Sequence, residues 1–443
     1  MKLDTIIANG CILTANSTFE VIPNGYVGIQ EGRIALVGEI TAAGVLPEAK
    51  EVIDARNGII MPGLVNTHTH VPMTLFRGLA EDLPLETWLS EHIFPAEAAF
   101  VTPENVAIGT ALACAEMLLA GTTCFCDGYF LEDHVAEVVS GTGMRAVLGQ
   151  GVIDFPAPGV ADPRENVAAA IAYVKKWQGR SSRITPAIFC HSPYTCSRAT
   201  LIAAKTAARE LGVLFQIHAA ETEQEQELIQ APDLASPIQY LAGNHILDAS
   251  TLLVHAIWLD TRDIDIIEEQ GAAVSHNPES NMKLASGIAP VPRCVSQGIR
   301  VGLGTDGCAS NNDLDLFLEM DTAAKLHKVH TLDPTVMNAE TVVKMATIEG
   351  AKAIGLGDQI GSIEPGKLAD MIVIDTHRPH LMPMYNPISQ IVYAARGSDV
   401  RDTMVAGQFL VRDRVLQTID QALIMEKALA LGKAIKRHQR RPV

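Results

Sequence analysis

His68, His70, His191, His218, His255 and His276 share one setting: each stands where a short apolar run gives way to polar residues. Asp306 closes another such run, and Glu221 follows His218 by three residues. His68 and His70 are two apart on an extended segment, so both imidazoles face the same way and can reach one cation. His218 and Asp306 supply a third imidazole and a carboxylate from other runs. Three nitrogens and one carboxylate suit Zn²⁺ or Fe²⁺, whereas Mg²⁺ and Ca²⁺ take oxygen shells. Glu221, just past such a cation, could take a proton from water activated there and pass it on. The competing reading is a solvated glutamate at a helix start, since Glu223, Glu225 and Glu227 follow and cannot all be catalytic. His255 is expected to orient or stabilise the attacking water. His276, in Ser-His-Asn-Pro, either donates to a substrate or braces its loop. Cys126 and Cys190 lie inside apolar runs and read as packing rather than as nucleophiles.

Elements must bring these side chains together. Eight apolar runs of strand length recur between residues 58 and 357: IIMPGLVNTH, GTTCFCD, MRAVLGQ, ITPAIFCHS, VLFQIHAAE, TLLVHAI, GAAVSHNP and IRVGLGTD. Helical stretches such as NVAIGTALACAEMLLAG separate them, ending near glycines. Near-continuous apolar strands alternating with helices indicate parallel strands covered by helices. Eight such units predict an α/β fold, a (β/α)₈ barrel whose strand ends converge on one face. An open doubly wound sheet would carry a glycine-rich phosphate loop, and neither GxGxxG nor GxxxxGK[ST] occurs. Residues 1–57 and 358–443 read differently. Short alternating segments punctuated by Asn-Gly and Glu-Gly predict a β unit closed by both termini. In the C-terminal part GSIEPGKLADMIVID, ISQIVYAA and DTMVAGQFLVRDRVL are read as its strands, and residues 418–438 as a terminal helix.

The 443 residues are 48% hydrophobic and 19% charged, which excludes a disordered chain. Lys plus Arg is 34 against 51 for Asp plus Glu, a net charge of −17. Such a chain is a poor binder of nucleic acid or of an anionic membrane. No apolar run reaches the ~18 residues of a membrane span, and the N-terminus has no signal-like pattern. Eight cysteines without a CxxC are expected to be reduced, mostly buried thiols in the cytoplasm.

The segments PGLVNTHTH, HAAE, SHNPESNMKLASGIAPV, GLGTDG and EPGKLADMIVID together resemble the amidohydrolase superfamily over nearly the whole chain. The resemblance implies a metal-bearing (β/α)₈ barrel with a β-sandwich built from both termini. Some members bridge two metals with a carboxylated lysine on the fourth strand. Here ITPAIFCHS has no lysine and ends in His191, which favours one metal. LETWLSEHIFPAEA and SHNPESNMKLASGIAPV are most similar to 5′-methylthioadenosine/S-adenosylhomocysteine deaminases. That likeness implies His68, His70, His218 and Asp306 as metal ligands and Glu221 as proton shuttle, with His255 and Asp306 steadying the attacking oxygen. It also implies Glu97 as the ribose anchor and His191 as a substrate contact. Trp88 and Phe94 would line an apolar 5′ pocket. Some members place an arginine after the third strand, where this chain has Gln150 and, further along, Arg164. A neutral amide cannot pair with a substrate carboxylate, so methylthioadenosine is favoured over S-adenosylhomocysteine. The expected reaction is hydrolytic deamination of a 6-aminopurine nucleoside, and the expected assembly a homo-oligomer, dimer or tetramer. The rival is a free-base (guanine-like) or s-triazine aminohydrolase or chlorohydrolase using the same site.

Overall fold

The computed structural model describes residues 2–42, 44–229 and 236–439, and the side chains of all of these except Glu86 and Gln439. Eight parallel strands run Leu64–Thr69, Thr122–Tyr129, Arg145–Val152, Ile184–Cys190, Phe215–Ala219, Thr251–His255, Ala273–His276 and Val301–Leu303. Each is hydrogen-bonded to the next in sequence. The first and last meet at a bridge between Thr69 and Asp306, where the Asp306 N–H donates to the His68 carbonyl at 3.0 Å. The barrel therefore closes at the residues expected to carry the chemistry.

Local signals explain the helices between strands. Thr102 caps Pro103–Leu119 by accepting from the Asn105 N–H, and Pro103 occupies a position where its missing N–H costs nothing. Ser197 caps Arg198–Leu211 in the same way, and Gly212 ends it at φ +66°. Small residues fill the barrel interior: Val65, Cys124, Cys126, Val147, Ala187 and Ala273 form one buried cluster. Cys190 packs in the larger cluster with the surrounding helices. Both thiols are pushed well up by burial, in keeping with packing roles.

The terminal unit is a mixed nine-stranded sheet drawn from both ends of the chain. Leu3–Leu13 pairs with Val21–Gln30, Ala49–Asp54 and Ile59–Pro62; Ile59–Pro62 in turn pairs with Met371–Ile374 from the C-terminal part. Ile12, Val27, Ile29, Ile60, Met371 and Val373 share its buried core.

Two expectations need correction. IIMPGLVNTH is not one strand: Ile59–Pro62 belongs to the terminal sheet and only Leu64–Thr69 to the barrel, so a boundary at 57/58 cuts a strand from its sheet. The break falls at Gly63, where a Cβ would come within 2.1 Å of the Thr123 side chain. Continuous apolarity does not reveal that the chain changes sheet. ISQIVYAA is not a strand either. Asn386 caps the helix Pro387–Tyr393, which buries Ile391 and Val392. The terminal helix, Gln421–Gln439, does form, but it packs on Pro103–Leu119 and on the turn Val71–Phe76 of the barrel. Among the described residues no single helix is long and apolar enough to cross a membrane.

Candidate metal centre and active site

The barrel strands deliver His68, His70, His218 and Asp306 to one point. One donor atom from each lies within 4.8 Å of the others. His218 Nε2 is 3.1 Å from His68 Nε2, and Asp306 Oδ1 is 3.5 Å and 3.4 Å from Nε2 of His68 and His70. A tetrahedral Zn²⁺ with bonds of ~2.0–2.1 Å sets its donors ~3.3 Å apart, so these atoms fit a single ion. His70 Nδ1 lies 2.5 Å from the Gly128 carbonyl, which can accept its proton and leave the Nε2 lone pair facing the centre. Asp306 is fixed as firmly: Ser280 and Ser310 hydroxyls donate to Oδ2 at 2.7 Å and 3.0 Å, and the Gly307 N–H donates to Oδ1 at 2.8 Å.

The electrostatics match this arrangement. Burial pushes His68 down to about 4 and holds His218 well below its usual range. Both are thus neutral, as a cation requires. Burial opposes ionisation of Asp306, yet the contact with His68 and the imidazoles of His255 and His70 hold its carboxyl well below the usual range. His255 is also buried, but Glu221 and Asp306 raise it above an ordinary histidine. The Asn281 side-chain oxygen lies 2.9 Å from its Nδ1, and its Nε2 faces Glu221 Oε2 at 3.9 Å. His255 and Asp306 sit at φ +73° and +61°. This left-handed backbone is uncommon for such residues and clusters at functional sites.

A cavity opens over the centre. His70, His191, His218, Glu221, His255 and Asp306 line one part, and Trp88, Phe94 and Glu97 another. The His191 ring lies 5.2 Å from that of His218, edge-on, and burial pushes it to about 4. Glu97 is buried and raised to about 7 by burial, against a short hydrogen bond donated by the Tyr129 hydroxyl. Apart from Ser310, the rest of the wall is mainly apolar or aromatic, including Leu85, Leu89, Phe130, Phe189 and Leu284.

Three candidates fall elsewhere. Gln150 does not line the cavity. Its amide oxygen accepts the Glu132 N–H and its Nε2 donates to the Gly151 carbonyl, both at 3.3 Å. The third strand runs on to Val152, so Gln150 is not its terminal residue. His276 is buried behind the site, with its Nε2 3.1 Å from His327 Nε2. Arg164 is exposed and paired with Asp162. Sequence reasoning missed Tyr129, because the second strand extends three residues beyond Cys126. It also missed the role of Glu225, whose buried carboxyl accepts the Glu221 N–H at 2.9 Å; its i+4 spacing from Glu221 was the available signal.

A parallel barrel with three histidines, an aspartate and a nearby glutamate at its C-terminal strand ends defines a class, the metal-binding hydrolase barrels. Within it the chain belongs to the amidohydrolase family, whose model matches residues 59–410. It is 46% identical over 435 residues to a 5-methylthioadenosine/S-adenosylhomocysteine deaminase of Syntrophobacter fumaroxidans, covering 98% of this chain and 99% of that one. It is 44% identical over 428 residues to a 5′-deoxyadenosine deaminase of Methanosarcina mazei, covering 96% of each. Among solved structures, an adenosine deaminase from Xanthomonas campestris with bound zinc superposes with a TM-score of 0.95 at 37% identity. The match covers 98% of this chain and 99% of that one.

Proposed function

We propose that the protein hydrolytically deaminates a 6-aminopurine nucleoside carrying a neutral 5′ group, with 5′-methylthioadenosine as its best substrate and S-adenosylhomocysteine and adenosine as lesser ones. The observation that carries this reading is the pairing, in one cavity, of the metal centre with a buried carboxylate on a separate helix, Glu97. His68, His70, His218 and Asp306 would hold one divalent cation, Zn²⁺ ahead of Fe²⁺. When bound, it supplies Lewis acidity that lowers the pKa of a water molecule toward neutrality.

The chain's own residues do the rest. Glu221 removes a proton from the attacking water and delivers it to the purine nitrogen next to C6. The water oxygen adds to C6, steadied by His255 and Asp306. The remaining hydroxyl proton moves to the amino nitrogen, the C6–N bond breaks, and ammonia leaves. The carbonyl at C6 completes an inosine-type product. His191 contacts the substrate, and Trp88 and Phe94 give the 5′ substituent an apolar wall. Assembly as a dimer or tetramer is part of the same proposal.

Glu97 is the ribose anchor. A carboxylate offers two acceptors to two adjacent hydroxyls, and charge-assisted bonds are the stronger kind. Glu97→Ala is expected to cost roughly 2–4 kcal/mol in kcat/KM for methylthioadenosine. The 2′,3′-dideoxy analogue is expected to be poor already with wild type and little changed by the mutation. Two alterations that remove one contact do not add. Full and independent losses from mutation and analogue would take Glu97 away from the diol and move the free-base or triazine reading ahead.

The cavity wall also sets an expectation for the 5′ group. No lysine or arginine is among its lining residues, of those described. The amino-acid carboxylate of S-adenosylhomocysteine would enter without a counter-charge, which is unfavourable for a desolvated anion. The ratio of kcat/KM values is expected to favour methylthioadenosine by about tenfold or more. Equal values for the two would contradict the neutral-group assignment.

A further inference from the structure

Asp127 has no part in the chemistry above, yet its contacts converge on a metal ligand. It lies on the second barrel strand, fully buried, in register with Thr69. One oxygen, Oδ1, accepts two short hydrogen bonds: from Thr69 Oγ1 at 2.6 Å and from the Val71 backbone N–H at 2.7 Å. Those donors flank His70 on either side. The next residue along the strand, Gly128, holds the His70 ring through its carbonyl. Residue 70 is thus gripped at three points: before it, after it and at Nδ1. Phe189 closes the far side of this arrangement, since a Cβ on Gly128 would stand 2.6 Å from its ring.

The Asp127 carboxyl interacts with that of Glu132, at the start of the helix Glu132–Thr142 and also fully buried. Among the described residues no donor reaches Asp127 Oδ2 or either Glu132 carboxyl oxygen. No lysine or arginine forms an ion pair with either residue among those described. Two carboxyls sealed together share a proton, because they cannot both be ionised. Two donors, Thr69 and Val71, reach Asp127 and none among the described residues reaches the Glu132 carboxyl, so Glu132 is the protonated partner; burial, which raises both groups, disfavours a second charge there. Asp127 remains the anion, stabilised by Thr69, Val71 and the Glu132 acid.

We infer that Asp127 is a positioning residue for His70, clamping the chain on both sides of the imidazole and strengthening, through its charge, that imidazole's hold on a cation. Glu132 serves it as a neutral donor. The inference rests on reading His70 as a metal ligand.

Zn²⁺ affinity of the stripped full-length protein, measured by competition with a chromogenic chelator, tests it without reference to substrate. Asp127→Asn keeps the acceptor oxygen and removes the charge. It is expected to weaken Zn²⁺ binding by roughly 10–100-fold, the usual worth of a ligand's outer partner. Glu132→Gln keeps a donor to Asp127 and is expected to stay within about threefold of wild type. Wild-type affinity in Asp127→Asn would overturn the inference. So would a loss in Glu132→Gln equal to that in Asp127→Asn, because the pair would then be packing and not a clamp. Should Asp127→Asn fail to fold, Thr69→Val removes one arm of the clamp. It is expected to weaken binding about threefold or more, with Thr69→Ser restoring it, and unchanged affinity in Thr69→Val overturns the inference equally. A wild-type protein that binds no Zn²⁺ fails at an earlier point, the metal reading itself.

Discussion

His218→Ala is expected to lose metal and activity together. The fifth barrel strand brings this imidazole 3.1 Å from that of His68, and no other histidine or acid among the described residues belongs to that group of donors. Losing an outer partner of a ligand costs ~10–100-fold in affinity, and losing one of four ligands should exceed that. Activity should fall to background at ordinary metal concentrations. Metal content after dialysis, read beside a thermal melt showing a folded chain, checks this. A folded His218→Ala protein with wild-type metal and turnover would remove His218 from the centre. The same assay counts ions. Near one equivalent per chain is expected, because the fourth strand, which ends at Cys190 just before His191, carries no lysine to bridge a second. Two ions, each needed for activity, would contradict the single-site reading.

Glu221→Gln should separate binding from chemistry. Glutamine keeps the size and a hydrogen-bonding end but cannot carry a proton between water and purine. Glu221 is not among the four donors, so metal content should stay near wild type. The expected fall in kcat is ~10² or more, the ordinary worth of a positioned acid or base. Burial raises the Glu221 carboxyl above its usual value, opposed by the neighbouring His255. That suits a group that must both accept and release a proton. Near-normal kcat in the variant would shift the task to His255 or to Glu225, whose buried carboxyl is raised to about 8 by its burial.

The metal centre was legible in the sequence for a physical reason. Parallel strands buried on both faces are written as continuous apolar runs, so the polar residues where each run gives way mark the catalytic rim. His68, His70, His218, His255 and Asp306 all follow that rule. It failed where a strand outruns its apolar stretch. Gly128 and Tyr129 lie beyond the run GTTCFCD, yet they remain in the strand and hold His70 and Glu97. Gln150 looked terminal for the converse reason: two more residues, Gly151 and Val152, continue the strand, leaving its amide tied to nearby backbone. Helix signals were equally local. Asn386 and Pro387 start a helix inside a segment whose Ile, Val and Tyr residues favour a strand. The pairing of Ile59–Pro62 with a strand more than 300 residues away lay beyond any local pattern. Asp127 illustrates the remaining limit. A lone aspartate after an apolar run looks like a rim ligand, and only the fold shows that it grips the residues on either side of one.

The most direct test is a side-by-side assay of the Zn²⁺-loaded protein on methylthioadenosine, adenosine, guanine and a chloro- and an amino-s-triazine, following ammonia release and product mass together. The expected result is ammonia from the nucleosides, in one-to-one yield with an inosine-type product, fastest with methylthioadenosine. Little or no turnover of the free base and triazines is expected, because they offer no diol to Glu97. Faster turnover of guanine or a triazine than of any nucleoside would contradict the account.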